Sequence, residues 1–294
     1  MANKKILITG KNGQLGRELQ IRCPIGIEVV ALNRNELDVS NSHAVQKVIR
    51  EVRPDIIINT AAYTAVDRAE QEPEIAYTIN SKGAENLARE CKKLDIRFIH
   101  VSTDFVFDGK KSTPYTVNDQ VVPLGVYGAS KAEAEAVIQE LLSDAIIVRT
   151  SWVYAAHGNN FVNTMLRLMS EREQLGVVAD QVGTPTWTGT LAEILYRLAE
   201  KQDAVGIYHC TDLGVASWYD FAVAIFEEAK LHGLLPQEKK LVINAIATSD
   251  YPTPAERPAY SVLDKSRLLS ELGIELKNWR ESLKQAFSTK AELH

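Results

Sequence analysis

Tyr127 and Lys131 stand four residues apart in "VYGASKAEAE", with glycine, alanine and serine between them. Residues at this spacing share one face of a helix, so a phenol and an ammonium can act together. A free phenol titrates near about 10, and a neighbouring ammonium favours the phenolate and lowers that value. Such a pair can pass a proton to a carbonyl oxygen while a hydride donor reduces the carbon. The chain has ten tyrosines, so the spacing alone is equally what ordinary helix surface produces. Its neighbours have to decide.

A carbonyl site needs one more hydroxyl. "HVSTDFVFDG" offers Ser102 and Thr103 at the end of an apolar run, although a Ser–Thr pair there also suits a turn or a helix cap. Gly10, Gly13 and Gly16 form G-x-x-G-x-x-G between the run "KKILIT" and an amphipathic segment. Glycine there permits a tight turn and lets a pyrophosphate approach the backbone. The helix amino terminus then presents free N–H groups and a positive dipole end to the anion. The second apolar run ends "VVALNR", where an NAD site usually places Asp or Glu on the ribose. Asn33 and Arg34 stand there instead, and a guanidinium suits a 2′-phosphate. The expected cofactor is NADPH, with NADH open, because a solvated loop arginine has the same sequence. Lys131 could also bind the nicotinamide ribose hydroxyls, and Ala129 and Ser130 read as room for that ribose.

These groups need a scaffold. "KKILIT", "IEVVAL", "PDIIINTAA", "RFIHVST" and "AIIVRTS" read as strands. Between them run helical patterns, among them "SHAVQKVIREV" with Val45, Val48, Ile49 and Val52 on one face and "AYTINSKGAENLARECKKL". Continuous apolar strands alternating with amphipathic helices imply a parallel sheet covered on both faces. The expected fold class is α/β, a doubly wound Rossmann-type sheet with ligands at the carboxyl ends of its strands. After Ser151 the pattern loosens. Residues 1–152 are expected to bind the dinucleotide and 153–294 mostly to form a smaller substrate lobe, with segments near 183–212 returning to the sheet. Ala134, Val137, Ile138 and Leu141 read as helix packing.

With 294 residues, 45% hydrophobic and 24% charged, the composition is that of a soluble globular protein. A net charge of -5 and no basic stripe exclude a general nucleic-acid binder. "MANKKILITG" lacks the apolar region of a signal peptide, and no apolar run is long enough to span a bilayer. Three cysteines without C-x-x-C spacing and six histidines without i, i+4 spacing offer neither a disulfide framework nor a zinc site. A cytoplasmic protein with no membrane partner is expected.

Taken together, "GKNGQLG", "RPDIIINTAAYTAVDRAE", "STDFVFDG", "VYGASKAEAE", "RTSWVYAAHGNNFVNTMLRL", "DQVGTPT", "SWYDFA" and "YPTPAERP" resemble the extended short-chain dehydrogenase/reductases. Within them the chain is similar, nearly end to end, to the dTDP-4-dehydrorhamnose reductase family. That resemblance implies NAD(P)H-dependent reduction of the C4 keto group of dTDP-4-dehydro-L-rhamnose, a sugar-nucleotide substrate. It gives Tyr127 as proton donor, Lys131 as its partner and Thr103 as the hydroxyl orienting the carbonyl. It also implies a cofactor site of Gly13, Gln14, Leu15, Asp38, Val39, Ala62, Tyr63 and Thr64, with Asp38 towards the adenine. Thr103, Asp104 and Trp152 would face the sugar nucleotide. Asn159 and Asn160 in "GNNF" and Arg257 are weaker substrate candidates, since a turn and a surface arginine explain them equally well. Trp152 offers a flat face for a sugar or base, or is core. Some family members bind Mg2+ at a subunit contact, so a metal and a homodimer stay open. The chain departs from the family pattern at Phe105, where tyrosine is common, and at Asn33–Arg34. Another sugar-nucleotide reductase or epimerase, or a non-catalytic cofactor-binding subunit, would share the scaffold. The complete set of Thr103, Tyr127 and Lys131 argues against the last.

Overall fold

The computed structural model describes residues 4–292, so the first three residues of the amino-terminal stretch lie outside it. Six strands form one parallel sheet: β1 (Lys4–Thr9), β2 (Ile27–Leu32), β3 (Ile56–Asn59), β4 (Arg97–Thr103), β5 (Ile146–Thr150) and β6 (Gly206–His209). Their spatial order is β6-β5-β4-β3-β1-β2. The order reverses between β1 and β3, which opens a crevice beyond their carboxyl ends.

Alternation along each strand sends side chains to both faces of the sheet. Ile6, Ile8, Ile56, Ile58 and Val148 face Leu15 and Leu19 of α1 (Gln14–Ile21) and Leu191 and Leu195 of a later helix (Thr188–Glu200). Leu7, Ile57, Phe98 and Ile147 face the opposite layer. That layer is α2 (Ser42–Val52), α3 (Gly83–Leu94) and α4 (Val126–Leu141), contributing Val45, Ile49, Leu87, Cys91, Ala134 and Ile138. Both sheet faces are dry, so the strands read as unbroken apolar runs.

Two expected elements differ in detail. The third strand stops at Asn59, and residues 60–65 leave it without regular structure. The helix expected over 76–94 runs on from Pro73–Tyr77 through a π-helical turn at Thr78–Lys82. That turn carries Asn80, 1% exposed, whose side chain accepts from Tyr63 N at 2.7 Å and donates to Ser130 Oγ at 2.9 Å. A widened turn aims this amide inward.

Beyond β5 a second core gathers Val162, Met165 and Met169 of α5 (Phe161–Glu171) and Phe221 and Ile225 of α7 (Trp218–Leu231). Leu283 and Phe287 of α8 (Trp279–Glu292) complete it. The helix Thr188–Glu200, α6, and strand β6 belong to the main sheet although they follow α5 in sequence. Among the described residues no helix is long and apolar enough to cross a membrane.

Helix α4 is fastened to the sheet by a buried ion pair. Arg149 of β5 donates to Glu135 of α4 at 2.6 and 3.0 Å, and Ser102 Oγ of β4 donates to the same carboxylate at 2.5 Å. Both charged side chains are at most 4% exposed. Removing one partner strands the other charge, so Glu135→Leu should cost about 3–5 kcal/mol in urea unfolding. Replacing both, as Glu135→Leu with Arg149→Met, should recover most of that loss.

Candidate active site

The crevice at the sheet's switch point is an open cleft of about 920 Å³. Its walls include every residue the sequence nominated: the glycine turn with Gln14 and Leu15, Arg34, Asp38, Val39, residues 62–64, Thr103, Asp104, Tyr127, Lys131, Trp152, Asn160 and Arg257. What the side chains do there differs from one to the next.

The glycine turn is set by contact. A Cβ on Gly16 would lie 2.2 Å from Gly10 O, and Gly10 itself has φ +72. Gly13, at the amino cap of α1, has only Gly10 O at 3.2 Å in its Cβ direction. No side chain caps α1 and its first turn holds no acidic residue. Its free N–H groups therefore face the cleft as an anion site, and the cradle fits a dinucleotide pyrophosphate. Gln14 reaches across to the second lobe, where its Oε1 accepts from Asn160 Nδ2 at 2.7 Å and Ala155 N at 3.1 Å.

At the end of β2, Asn33 Oδ1 accepts from Asn35 N and Glu36 N, closing a turn. The Arg34 side chain is 73% exposed, and its single acidic neighbour among the described residues is Asp38 at 4.0 Å. Asp38 instead accepts from Ser40 N and Ser40 Oγ. Val39 is buried against Gly83, and Tyr63 donates its hydroxyl to Glu72 at 2.6 Å.

Tyr127 begins α4, and the phenol is pushed up to about 12, chiefly by burial, with Thr103 working against the rise. It is a firmly held acid. Lys131, 2% exposed, is lowered to about 8, again chiefly by burial, with Glu135 opposing. The expectation that the ammonium lowers the phenol is not met here. Lys131 Nζ turns instead to Val101 O at 2.7 Å and His100 Nε2 at 2.9 Å. Thr103 Oγ1 donates to Asp104 at 3.0 Å and accepts from Phe105 N at 3.2 Å, so it caps a short turn and also lines the cleft. Burial raises Asp104 to about 6. The Phe105 ring meets Tyr127 edge-on at 5.5 Å.

Neighbouring side chains constrain several other candidates. Of the alanine and serine read as room for a ribose, Ser130 is fully buried on Asn80 instead, while Ala129 is half-buried. Gly128 fits α4 to its neighbours, since a Cβ there would lie 2.2 Å from Phe105 O. Asn160 is committed: its oxygen caps α5 through Asn163 N at 2.9 Å and its nitrogen holds Gln14. Asn159, exposed beside it, is the one whose side chain is open to the cleft. One face of Trp152 is already covered by Trp218, stacked at 3.6 Å, and Trp152 adopts φ +46 to reach that position. Arg257 pairs with Asp67 at 2.9 Å. Trp218, Asn80 and His100 were not singled out beforehand. Trp218 was within reach through "SWYDFA", whereas a lone Asn or His in an apolar segment gives no such signal.

Among the described residues no group of three or more His, Cys, Asp or Glu is placed to hold a metal ion. A glycine turn, a strand-end hydroxyl and a Tyr–Lys helix around one switch-point cleft define a dinucleotide-dependent oxidoreductase of the extended short-chain type. Comparison with known proteins narrows this. The chain belongs to the RmlD substrate binding domain family, whose model matches residues 4–291. It is 47% identical over 95% of its length, and 97% of the relative's, to a dTDP-4-dehydrorhamnose reductase of Aggregatibacter actinomycetemcomitans. It is 42% identical to the Escherichia coli K12 protein of that name, covering 95% of this chain and 96% of that one. The crystal structure of the Bacillus anthracis dTDP-4-dehydrorhamnose reductase, in complex with NADP, superposes with TM-score 0.92 at 37% identity, covering 98% and 99% of the two chains.

The double duty of Asn160 is testable. Asn160→Ala should cost about 1 kcal/mol in urea unfolding through the lost cap and also weaken dinucleotide binding by freeing Gln14. Asn159→Ala should leave stability unchanged.

Proposed function

We propose that the protein reduces the C4 keto group of dTDP-4-dehydro-β-L-rhamnose to dTDP-β-L-rhamnose, the last step of dTDP-rhamnose synthesis, with NADPH. The observation that carries this is the convergence of Thr103, Tyr127 and Lys131 with an uncapped glycine turn on one cleft. The likeness to reductases of that substrate along almost the whole chain supplies the substrate class.

Bound NADPH supplies a hydride to C4. The chain's residues do the rest. Residues 10–16 would receive the pyrophosphate on backbone N–H groups, and exposed Arg34 would take the 2′-phosphate. Asp38, Val39, Ala62, Tyr63 and Thr64, which line the same cleft, would hold the adenosine end. Lys131 Nζ donates to Val101 O and touches His100 Nε2, and it would turn a remaining N–H to the nicotinamide ribose. The Tyr127 hydroxyl would hold the substrate carbonyl oxygen, joined by Thr103 Oγ1 once it turns its single proton from Asp104 to that oxygen. As hydride reaches the carbon, the Tyr127 O–H bond breaks and its proton passes to that oxygen. The phenolate left behind sits one helical turn from the Lys131 ammonium. Asp104, Asn159, Arg257 and the Trp152–Trp218 stack border the sugar nucleotide. For Arg257 the substrate diphosphate would displace the Asp67 carboxylate.

Incubated with enzymatically generated dTDP-4-dehydro-L-rhamnose, the protein should oxidise NADPH, and no oxidation would sink the proposal. Tyr127→Phe should lower kcat by about 10²–10⁴-fold with dinucleotide affinity retained. Arg34→Ala should raise KM for NADPH and leave that for NADH unmoved. A several-fold preference of the unmodified protein for NADH would refute the role given to Arg34.

A further inference from the structure

Thr103 has one hydroxyl hydrogen, and it is already in use. Its Oγ1 donates to Asp104 Oδ1 at 3.0 Å and accepts from Phe105 N at 3.2 Å. A hydroxyl offers one donor and two acceptor sites. One acceptor site is left, and a carbonyl oxygen, itself an acceptor, has no use for it. For Thr103 to serve the substrate, Asp104 has to release that hydrogen.

Asp104 is 2% exposed and heads the short turn Asp104–Val106 after β4. The cations around the cleft are engaged elsewhere: Arg149 holds Glu135, Arg257 holds Asp67, and Lys131 Nζ lies on Val101 O. Asp104 Oδ2 is buried without a hydrogen-bond partner among the described residues. The Ser261 hydroxyl lies near enough to favour the ionised form but closes no hydrogen bond. A buried carboxylate with one bare oxygen is costly, so the neutral acid suits this setting. Burial accordingly raises the group to about 6, against the smaller pull of Ser261, Thr103 and the backbone N–H groups of Asp104 and Phe105. A dry site can keep a carboxylic acid neutral so that it donates a hydrogen bond.

We propose that Asp104 is a positioning residue that works as the neutral acid: its O–H donates to Thr103 Oγ1, and the Thr103 hydrogen turns to the substrate carbonyl oxygen. The inference rests on the reductase reading above. With Asp104 protonated, Oγ1 accepts from Asp104 and from Phe105 N and donates to the carbonyl, so its three sites are filled. With Asp104 ionised, Thr103 points its hydrogen back at the carboxylate and the carbonyl oxygen meets a lone pair. The proton that reaches the product is still that of Tyr127, whose phenolate an ionised Asp104 also disfavours.

The titratable groups on the elements packed around Asp104 are His100 of β4, Tyr127, Lys131, Glu133 and Glu135 of α4, Arg149 of β5, and Tyr260 beside Ser261. Burial holds His100 well below the ordinary imidazole value, so its ring stays neutral. Glu133 takes the Ser81 hydroxyl, and Glu135 and Arg149 hold each other. Lys131 titrates higher, at about 8, Tyr127 at about 12, and burial raises Tyr260 as well. A titration near 6 in this cluster belongs to Asp104. One pH unit above that value about a tenth of the molecules carry the acid form, and the bound carbonyl selects them.

The test is kcat/KM for dTDP-4-dehydro-L-rhamnose between about pH 5.5 and 7.5. NADPH is held saturating, because its own 2′-phosphate titrates near about 6. In the unmodified protein kcat/KM should rise as pH falls, by about tenfold per unit above pH 6, and level off below it. Asp104→Asn, whose amide donates at every pH, should give a level profile and exceed the unmodified protein at the upper end. Thr103→Val leaves no hydroxyl to turn and should flatten most of the rise at a lower rate. Thermal unfolding of the full chain gives a readout free of turnover. The folded state holds Asp104 above the free carboxyl value, so stability is lost as pH rises from about 4 through about 6. The melting temperature of Asp104→Asn should draw ahead of the unmodified protein's across that interval. A level profile in the unmodified protein, a full rise surviving in either variant, or a melting difference independent of pH overturns the role of Asp104 alone. Absence of NADPH oxidation at every pH overturns the reductase reading and this inference with it.

Discussion

The structure depends on how helix α4 is held against β4 and β5. Apolar packing through Ala134 and Ile138 supplies adhesion, but it is non-directional and would tolerate sliding. Two polar attachments remove that freedom. Ser102 and Arg149 grip Glu135, and His100 with Val101 O grips Lys131. Because strand side chains repeat every two residues and helix side chains every three to four, two points of attachment set both translation and rotation of the helix. Gly128 adds a third limit by pressing the helix against the Phe105 carbonyl. Tyr127 is placed by these constraints, and none of them involves the phenol itself.

The same helix explains a division of labour between its polar groups. Burial makes the phenol harder to ionise and the ammonium easier to discharge. These shifts run in opposite directions in proton affinity, and both favour neutral groups in a dry site. The site thus favours a protonated phenol and gives Lys131 only neutral partners, Val101 O and the His100 ring. A carboxylate next to Lys131 would bind the cation more firmly, but it would also spend an N–H that the ribose hydroxyls require.

Much of this was legible in the residues. Apolar runs bounded by turns marked the first five strands, because a sheet covered on both faces leaves no polar alternation to confuse them. Gly10 and Gly16 could be read because the contacts that exclude a Cβ are local. Thr103 and Tyr127 drew attention because chemistry-bearing types stood at strand-end and helix-start positions, and both line the cleft. What could not be read depends on contacts distant in sequence. Trp152 finds Trp218 and Asn160 finds Gln14 only after folding. The Lys131 contacts to Val101 O and His100 were out of reach for the same reason: i, i+4 geometry predicts a shared face, not the direction of a flexible four-carbon stem. His100 and Asn80 look like isolated polar residues until the sheet and the π-helical turn bring their partners in.

The order of elements along the chain has a consequence for how the protein is made. Strand β6 and helix α6 belong to the sheet, yet α5, part of the second core, precedes them. Arg97, at the start of β4, donates to the carbonyls of Leu198, Lys201, Gln202 and Ala204 where α6 ends. During synthesis β5 is therefore an open edge until residue 209 has emerged from the ribosome. By then α5 has been made, but its packing partners in α7 and α8 are still to come. The two halves cannot be finished one after the other. A nascent chain arrested between them would present a dry, unpaired strand edge, the kind of surface that invites pairing with another chain.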